Sequence, residues 1–271
     1  LDNRPIGVFD SGLGGLTSLK ELRRLMPGED IVYFGDTGRV PYGTKGRDTI
    51  IKYTGQILRF MRGFDVKAVV AACNTVSAVA FGEDGVKSEV PLLGAVVPAA
   101  QAAARATKNG RIGILGTAAT VRSGAYGKAL RGIRPDAQIK SLACPLFVPL
   151  VESGHFAPGD KLALLAAEEY LAAFDGWGED TMILGCTHYP VLRGVIGGVL
   201  GSGVTLIDSS REAAAAAQNF LSREGLLASK TTGGSCRFYV SDYSEDFARL
   251  AGILLEQPIE GNIERVDIEK Y

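Results

Sequence analysis

Long apolar runs are missing from this chain of 271 residues. The longest candidate, VVAACNTVSAVAF from Val69 to Phe81, is broken by Asn74, Thr75 and Ser77, and it falls short of the roughly 18 residues that a membrane-crossing helix needs. No helical membrane span is expected. An excess of either charge is also missing. Lys and Arg number 29 against 30 Asp and Glu, a formal net charge of −1, so no field draws the protein onto nucleic acid or anionic lipid. Cysteine is scarce, with residues at 73, 144, 186 and 236, and histidine scarcer, at 155 and 188. No Cys-x-x-Cys pair occurs, which argues against a disulfide scaffold or a zinc site, and no metal is expected. The opening LDNRPIGVFD carries no apolar export segment behind a basic one, and begins with Leu, as in a trimmed chain. A cytoplasmic location is the expectation.

Glycine, by contrast, is abundant. Its 35 residues exceed the usual share of about 7%, which points to tight turns and close backbone approach to a ligand. Hydrophobic residues make up 46% and charged residues 22%, the balance of a globular protein with a sizeable core. Apolar β-branched runs at 6–9, 31–34, 67–72, 111–115, 181–185 and 204–207 alternate with helix-period stretches at 16–25, 48–61, 98–107, 161–174 and 211–223. That alternation predicts parallel sheets covered by helices.

An internal repeat divides the chain. IGVFDSGLGGLTS from Ile6 resembles IGILGTAATVRS from Ile112, an offset of 106 residues, and VVAACNT resembles MILGCTH with their cysteines 113 residues apart. Two matches at nearly one offset predict two similar halves whose corresponding strand ends face one cleft. Ligands bind outside the carboxyl ends of parallel strands, so Cys73 and Cys186 are expected to line one site.

Two thiols facing one carbon suit a specific chemistry. Inverting a stereocentre requires a base on one face and an acid on the other. Asn74-Thr75 and Thr187-His188 follow the cysteines where helices should begin, and a helix start should lower the thiol pKa towards neutrality. Free backbone N–H groups there can hold a carboxylate. Asp10 opens DSGLGG at the same cleft edge, either as a functional carboxylate or as an ordinary helix cap. His188 lies two residues from Cys186 and can tune it, with Glu152 a possible imidazole partner. Cys144 and Cys236 read as small buried apolar residues, and His155 as a loop residue without a role. DSGLGG is neither a Walker A loop nor a dinucleotide fingerprint.

With these residues in view, the chain resembles a known family. DSGLGG at 10–15, GDTGRVPYG at 35–43, ACNTVSA at 72–78, GTAATVRS at 116–123, PLVE at 149–152 and GCTHYPVL at 185–192 together resemble glutamate racemase, of the cofactor-independent aspartate/glutamate racemase superfamily. The resemblance runs in order from about Ile6 to beyond Asp208. It implies that Cys73 and Cys186 are the paired acid/base residues, acting on the D- and L-enantiomer respectively. Asp10 would assist the first, and His188 with Glu152 the second. Implied substrate contacts are Asp10, Ser11, Tyr42, Gly43, Asn74, Thr75, Thr117, Thr120, Thr187 and His188. No cofactor is implied.

The resulting expectation is an α/β protein of two pseudo-symmetric, doubly wound parallel-sheet domains with the active site in the cleft between them. Residues 1–95 and 208–271 would form the first domain, and 96–207 the second. The expected activity is interconversion of L- and D-glutamate by two-base proton transfer, supplying D-glutamate for peptidoglycan. Expected partners are the small-molecule substrate and a second copy of the chain in a homodimer, with neither nucleic acid nor membrane. An aspartate or hydantoin racemase would keep both cysteines, and a non-catalytic amino-acid-binding protein would have no use for matched thiols.

Overall fold

Strands buried on both faces build the first sheet. In the computed structural model, which describes residues 1–82, 84–243, 247–256, 259 and 263–271, β1 (Ile6–Asp10) turns Ile6 and Val8 towards Leu16, Leu19 and Leu22 of α1 (Leu16–Leu25). Phe9 faces the other way. The same alternation recurs in β2 (Ile31–Gly35): Tyr33 joins the α1 side, while Val32 and Phe34 pack with Ile57, Phe60 and Met61 of α2 (Arg47–Arg62). In β3 (Ala68–Ala71), Val70 takes the first face and Val69 the second. Side chains alternate with period two along a strand, so a sheet sandwiched by helices reads in sequence as continuous apolar runs. The first half continues through α3 (Asn74–Val79) and β4 (Leu92–Gly94).

The second half repeats the plan. After α4 (Val96–Ala106) come β5 (Arg111–Gly116), α5 (Ala118–Ser123), α6 (Ala125–Ile133), β6 (Gln138–Ala143), α7 (Phe147–Glu152) and α8 (Lys161–Leu171). Next are β7 (Thr181–Gly185), α9 (Arg193–Leu200) and β8 (Thr205–Asp208). The chain then forms α10 (Ser209–Arg223), β9 (Cys236–Val240), α11 (Phe247–Leu255) and β10 (Ile263–Arg265). Several helix starts are explained locally. Asp160 accepts from the N–H groups of Leu162 and Ala163 at the start of α8, and Asp208 accepts from those of Ser210 and Arg211 at the start of α10, each satisfying amides that have no partner within the helix.

Both sheets are parallel, with orders β4-β3-β1-β2-β9-β10 and β8-β7-β5-β6. The first four strands of each half therefore occupy equivalent places, with β1 matching β5 and β3 matching β7. The fold is a pair of doubly wound α/β lobes around a cleft, as the repeat predicts. Late in the chain, β9 adds to β2 in parallel, giving the segment after residue 230, in which the sequence shows no motif, a place in the first sheet. Among the described residues, no helix is long and apolar enough to cross a membrane.

Candidate active site

Cys73 and Cys186 follow β3 and β7, the equivalent strands of the two halves, and both line a single cavity of about 340 Å³. With them in the wall are Ser11, Tyr42, Gly43, Asn74, Thr75, Thr117, Glu152, Thr187 and His188. Val40, Pro41, Val148 and Pro149 supply apolar wall, giving the mixture of dry surface and a few polar groups usual in small-molecule sites. All four cysteines are free.

Two predicted residues stand just outside the cavity wall. Asp10 is fully buried; one carboxylate oxygen accepts from the backbone N–H of Gly12 at 3.0 Å, and Oδ1 has no partner among the described residues. It does not cap α1, whose N-cap is Gly15. Burial raises its pKa, opposed by the positive charge of His188 and the N–H groups of Gly15, Gly12 and Ser11. Thr120 is buried beside Thr117. Its hydroxyl is 3.0 Å from that of Thr117 and 3.4 Å from that of Thr75, and the Thr75 and Thr117 hydroxyls are 2.9 Å apart. These three residues form a hydrogen-bonded triangle joining the first half to the second.

Cys73 sits at the N-cap of α3, with its sulfur 3.5 Å from the Ser11 hydroxyl. Burial pushes its thiol up to about 12, and the Asp10 carboxylate adds to the shift against the pull of Ser11 and the Val76 N–H. This corrects the expectation of a thiol drawn towards neutrality. A helix of six residues offers a modest terminal field, and removing the thiolate from water costs more than that field returns. A second correction concerns Thr187-His188. No α-helix begins there: a 3₁₀ turn spans Tyr189–Leu192, with Pro190 inside it, and α9 starts at Arg193.

His188 is held from both sides. Its Nε2 lies 3.0 Å from Glu152 Oε1, and its Nδ1 3.9 Å from Cys186 Sγ. Burial works to lower its pKa, but the Cys186 sulfur and the Glu152 carboxylate outweigh it and push the imidazole up to about 10. Gly14 permits the close packing here, since a Cβ at that position would lie 2.3 Å from Thr187 Oγ1 and 2.5 Å from the His188 ring. Gly43 does the same opposite: its Cβ would meet the Thr117 Cβ at 2.7 Å.

Other side chains reach the site indirectly. Asn74 donates to Ser209 Oγ at 3.0 Å and accepts from the hydroxyl of Tyr126, so its amide ties the start of α3 to α6 and α10. The Tyr42 hydroxyl donates to Asp36 instead of facing the cavity, leaving its ring and backbone for the wall. Cys144, read from sequence as plain core, is fully buried yet lines the cavity, and burial followed by the charge of Cys186 pushes its thiol up to about 12. Asp36, Tyr126 and Ser209 went unremarked in the sequence. Asp36 could have been found, because it lies inside GDTGRVPYG.

Matched thiols across a cleft between duplicated α/β lobes define a class of protein, the amino-acid racemases that use paired cysteines. Comparison with known proteins agrees: the chain belongs to the Asp/Glu/Hydantoin racemase family, whose profile matches residues 17–217, and within it to the glutamate racemases. A glutamate racemase of Geobacter metallireducens is 42% identical over 266 residues, covering 98% of this chain and 97% of the relative. The crystal structure of glutamate racemase from Francisella tularensis in complex with D-glutamate superposes with a TM-score of 0.90 at 35% identity, covering all of both chains. That of the Thermus thermophilus enzyme in complex with beta-chloro-D-alanine gives 0.88 at 43% identity, again over the whole of both chains.

Proposed function

We propose that the protein is a cofactor-independent glutamate racemase that interconverts L- and D-glutamate by direct proton transfer between two thiols. The observation that carries this reading is the meeting of Cys73 and Cys186, from equivalent strand ends, in one cavity. Cys73 takes the α-proton of D-glutamate while Cys186 protonates the opposite face, and the roles reverse for L-glutamate. Asp10, behind Cys73, and His188, beside Cys186 and held by Glu152, relay protons to and from the thiols. Burial pushes the Cys73 thiol up to about 12, and the ammonium charge of the substrate beside it favours the thiolate that takes the proton.

The α-carbon is a weak acid, so negative charge developing on the substrate carboxylate must be stabilised. The backbone N–H groups of Asn74 and Thr75, which as the first residues of α3 have no partner within the helix, are preorganised for it. Ser11, Tyr42, Gly43, Thr117, Thr120, Thr187 and His188 complete the contacts, through side chains or backbone. The apolar wall of Val40, Pro41, Val148 and Pro149 limits water around the carbanion. The names of the relatives favour glutamate over aspartate or hydantoin substrates.

The two sheets are read as cores of domains 1–95 with 208–271 and 96–207; residues 83, 244–246, 257–258 and 260–262 of that division lie outside the described residues. The protein is read as a cytoplasmic homodimer providing D-glutamate for peptidoglycan. Exposed Leu146, Leu162 and Leu165 of the second lobe suit a subunit contact, and a sedimentation mass of one chain would remove the dimer.

The activity is tested by incubating L- and then D-glutamate with the protein in deuterated water. Racemisation with α-deuterium incorporation is expected, and Cys73→Ala or Cys186→Ala should each lower it in both directions by about 100- to 10,000-fold with unchanged circular dichroism. Full activity in either variant would end the two-thiol mechanism. Binding without exchange would make the chain a binding protein.

A further inference from the structure

GDTGRVPYG contributes Tyr42 and Gly43 to the cavity wall, yet its Asp36 and Arg39 stand away from it. Asp36 is fully buried and the Arg39 side chain nearly so. Arg39 Nε donates to both Asp36 oxygens, at 3.0 and 2.8 Å, and the Tyr42 hydroxyl donates to the same carboxylate. On its far side, Arg39 Nη1 donates to Gln56 Oε1 of α2 at 2.6 Å and to Glu269 Oε1 at 2.9 Å. The guanidinium lies 3.9 Å over the ring of Tyr53, which packs against Tyr42 with ring centroids 5.4 Å apart.

We propose that Arg39 is a positioning residue for substrate binding, and that Glu269, 230 residues further along the chain, sets the position of the cavity wall through it. The inference rests on the racemase reading and names a determinant of that same site. Two surfaces fix the Tyr42–Gly43 backbone. Behind it, Asp36 holds the Tyr42 hydroxyl; in front, the α-carbon of Gly43 meets Thr117 so closely that a Cβ would not fit. The front contact belongs to the opposite lobe, through Thr117 at the start of α5. The rear contact lies within the first lobe, where Asp36 directly follows β2, and so ties the wall to the sheet. A carboxylate with two Arg contacts and a phenol donor tolerates little displacement, and Arg39 itself is oriented by a planar fork whose other arm needs an acceptor. Beside the neutral Gln56, Glu269 supplies a charged acceptor for that arm from the 3₁₀ turn Ile268–Lys270, which is docked on α2 by buried Ile268 and by the Tyr271 ring against Phe60. The wall that meets substrate is thus adjusted by residues that never touch it.

Steady-state kinetics on the full chain test this. Glu269→Ala should raise KM for glutamate in both directions by roughly two- to fivefold, the ratio a partly exposed ion pair is worth, with kcat within twofold of the parent. Tyr42→Phe, which cuts the wall from Asp36 directly, should raise KM further. Glu269→Gln keeps an acceptor for Arg39 and should restore most of the parental KM. Arg59→Ala loosens the same C-terminal turn by removing the bond from Arg59 Nη2 to the Tyr271 carbonyl without touching Arg39, and should leave KM unchanged. An unchanged KM in Glu269→Ala, no recovery in Glu269→Gln, or an equal rise in Arg59→Ala would each overturn the proposal. If the parent protein itself fails to racemise glutamate, it is the racemase reading that falls.

Discussion

Asp10 and Cys73 show how a buried pair can hold a reactive group in reserve. A thiolate formed next to a carboxylate, away from water, faces both desolvation and like-charge repulsion, and the Cys73 thiol is accordingly raised to about 12 with burial first and Asp10 second. The sign of the Asp10 contribution can be checked. Replacing Asp10 by Asn removes the negative charge and keeps the volume, so the Cys73 pKa should fall. At any pH between 7 and 10 the thiolate fraction, and with it the rate of alkylation by iodoacetamide, should rise in Asp10→Asn. The readout is the rate of label on the Cys73 peptide by mass spectrometry against pH. A profile that stays in place, or moves to higher pH, would mean that Asp10 does not set the protonation of this thiol. In the same variant racemisation should fall, because a more acidic thiol is a weaker base and the relay group is gone. A faster-reacting cysteine in a slower enzyme is an outcome that simple unfolding of the site would not produce, since unfolding would expose Cys144 and Cys236 to label as well.

Among the elements, what could be read in the sequence follows from burial. Strands β1, β2, β3, β5 and β7 lie inside their sheets, and all but a single residue of the five are buried, so their apolar runs are unbroken. The missed strands are at or near edges. In β6, QIKSLA is half-exposed, and β4 and β10 have three residues each, too few to establish a pattern. The helix expected at Thr187 fails for a local reason: Pro190 has no N–H to donate, and the chain makes a 3₁₀ turn before α9. The thiol pair was legible because a duplicated sequence places matched residues at matched strand ends. The acidity of Cys73 was not, because burial is a property of the closed fold. Nor were the contacts of Asn74 legible: Ser209 is 135 residues away and Tyr126 is 52, and nothing local links those positions. The Thr75, Thr117 and Thr120 hydroxyls belong to both classes, each named from its motif, their mutual contact set by how the halves meet.

At the scale of the whole molecule, the chain must leave the first lobe, build the second and return, and its return is held by more than apolar packing. Helix α10 packs on α1 and α4, and Thr17 Oγ1 of α1 meets both the Thr187 carbonyl, at 3.0 Å, and Ser210 Oγ, at 2.9 Å. Further on, a buried ion pair joins separate passages of the chain. Lys67 Nζ is 2.5 Å from Glu29 Oε2 and donates to the Asp2 carbonyl at 2.7 Å, while Glu29 Oε1 accepts from the Ala228 N–H at 2.7 Å. Both side chains are almost completely removed from solvent. Removing one partner strands the other, so Lys67→Met should destabilise the protein by about 3–5 kcal/mol in urea denaturation. Glu29→Leu should cost a similar amount. The double variant leaves no stranded charge, only the Asp2 carbonyl and Ala228 amide without partners, so it should be more stable than the sum of the single losses by at least about 2 kcal/mol. Additive losses would mean that the two charges do not depend on one another. With a coupling of that size, the chain start, the entry to β3 and the segment returning to β9 fold as one unit, and loosening the pair should expose the amide hydrogens of all three to exchange together.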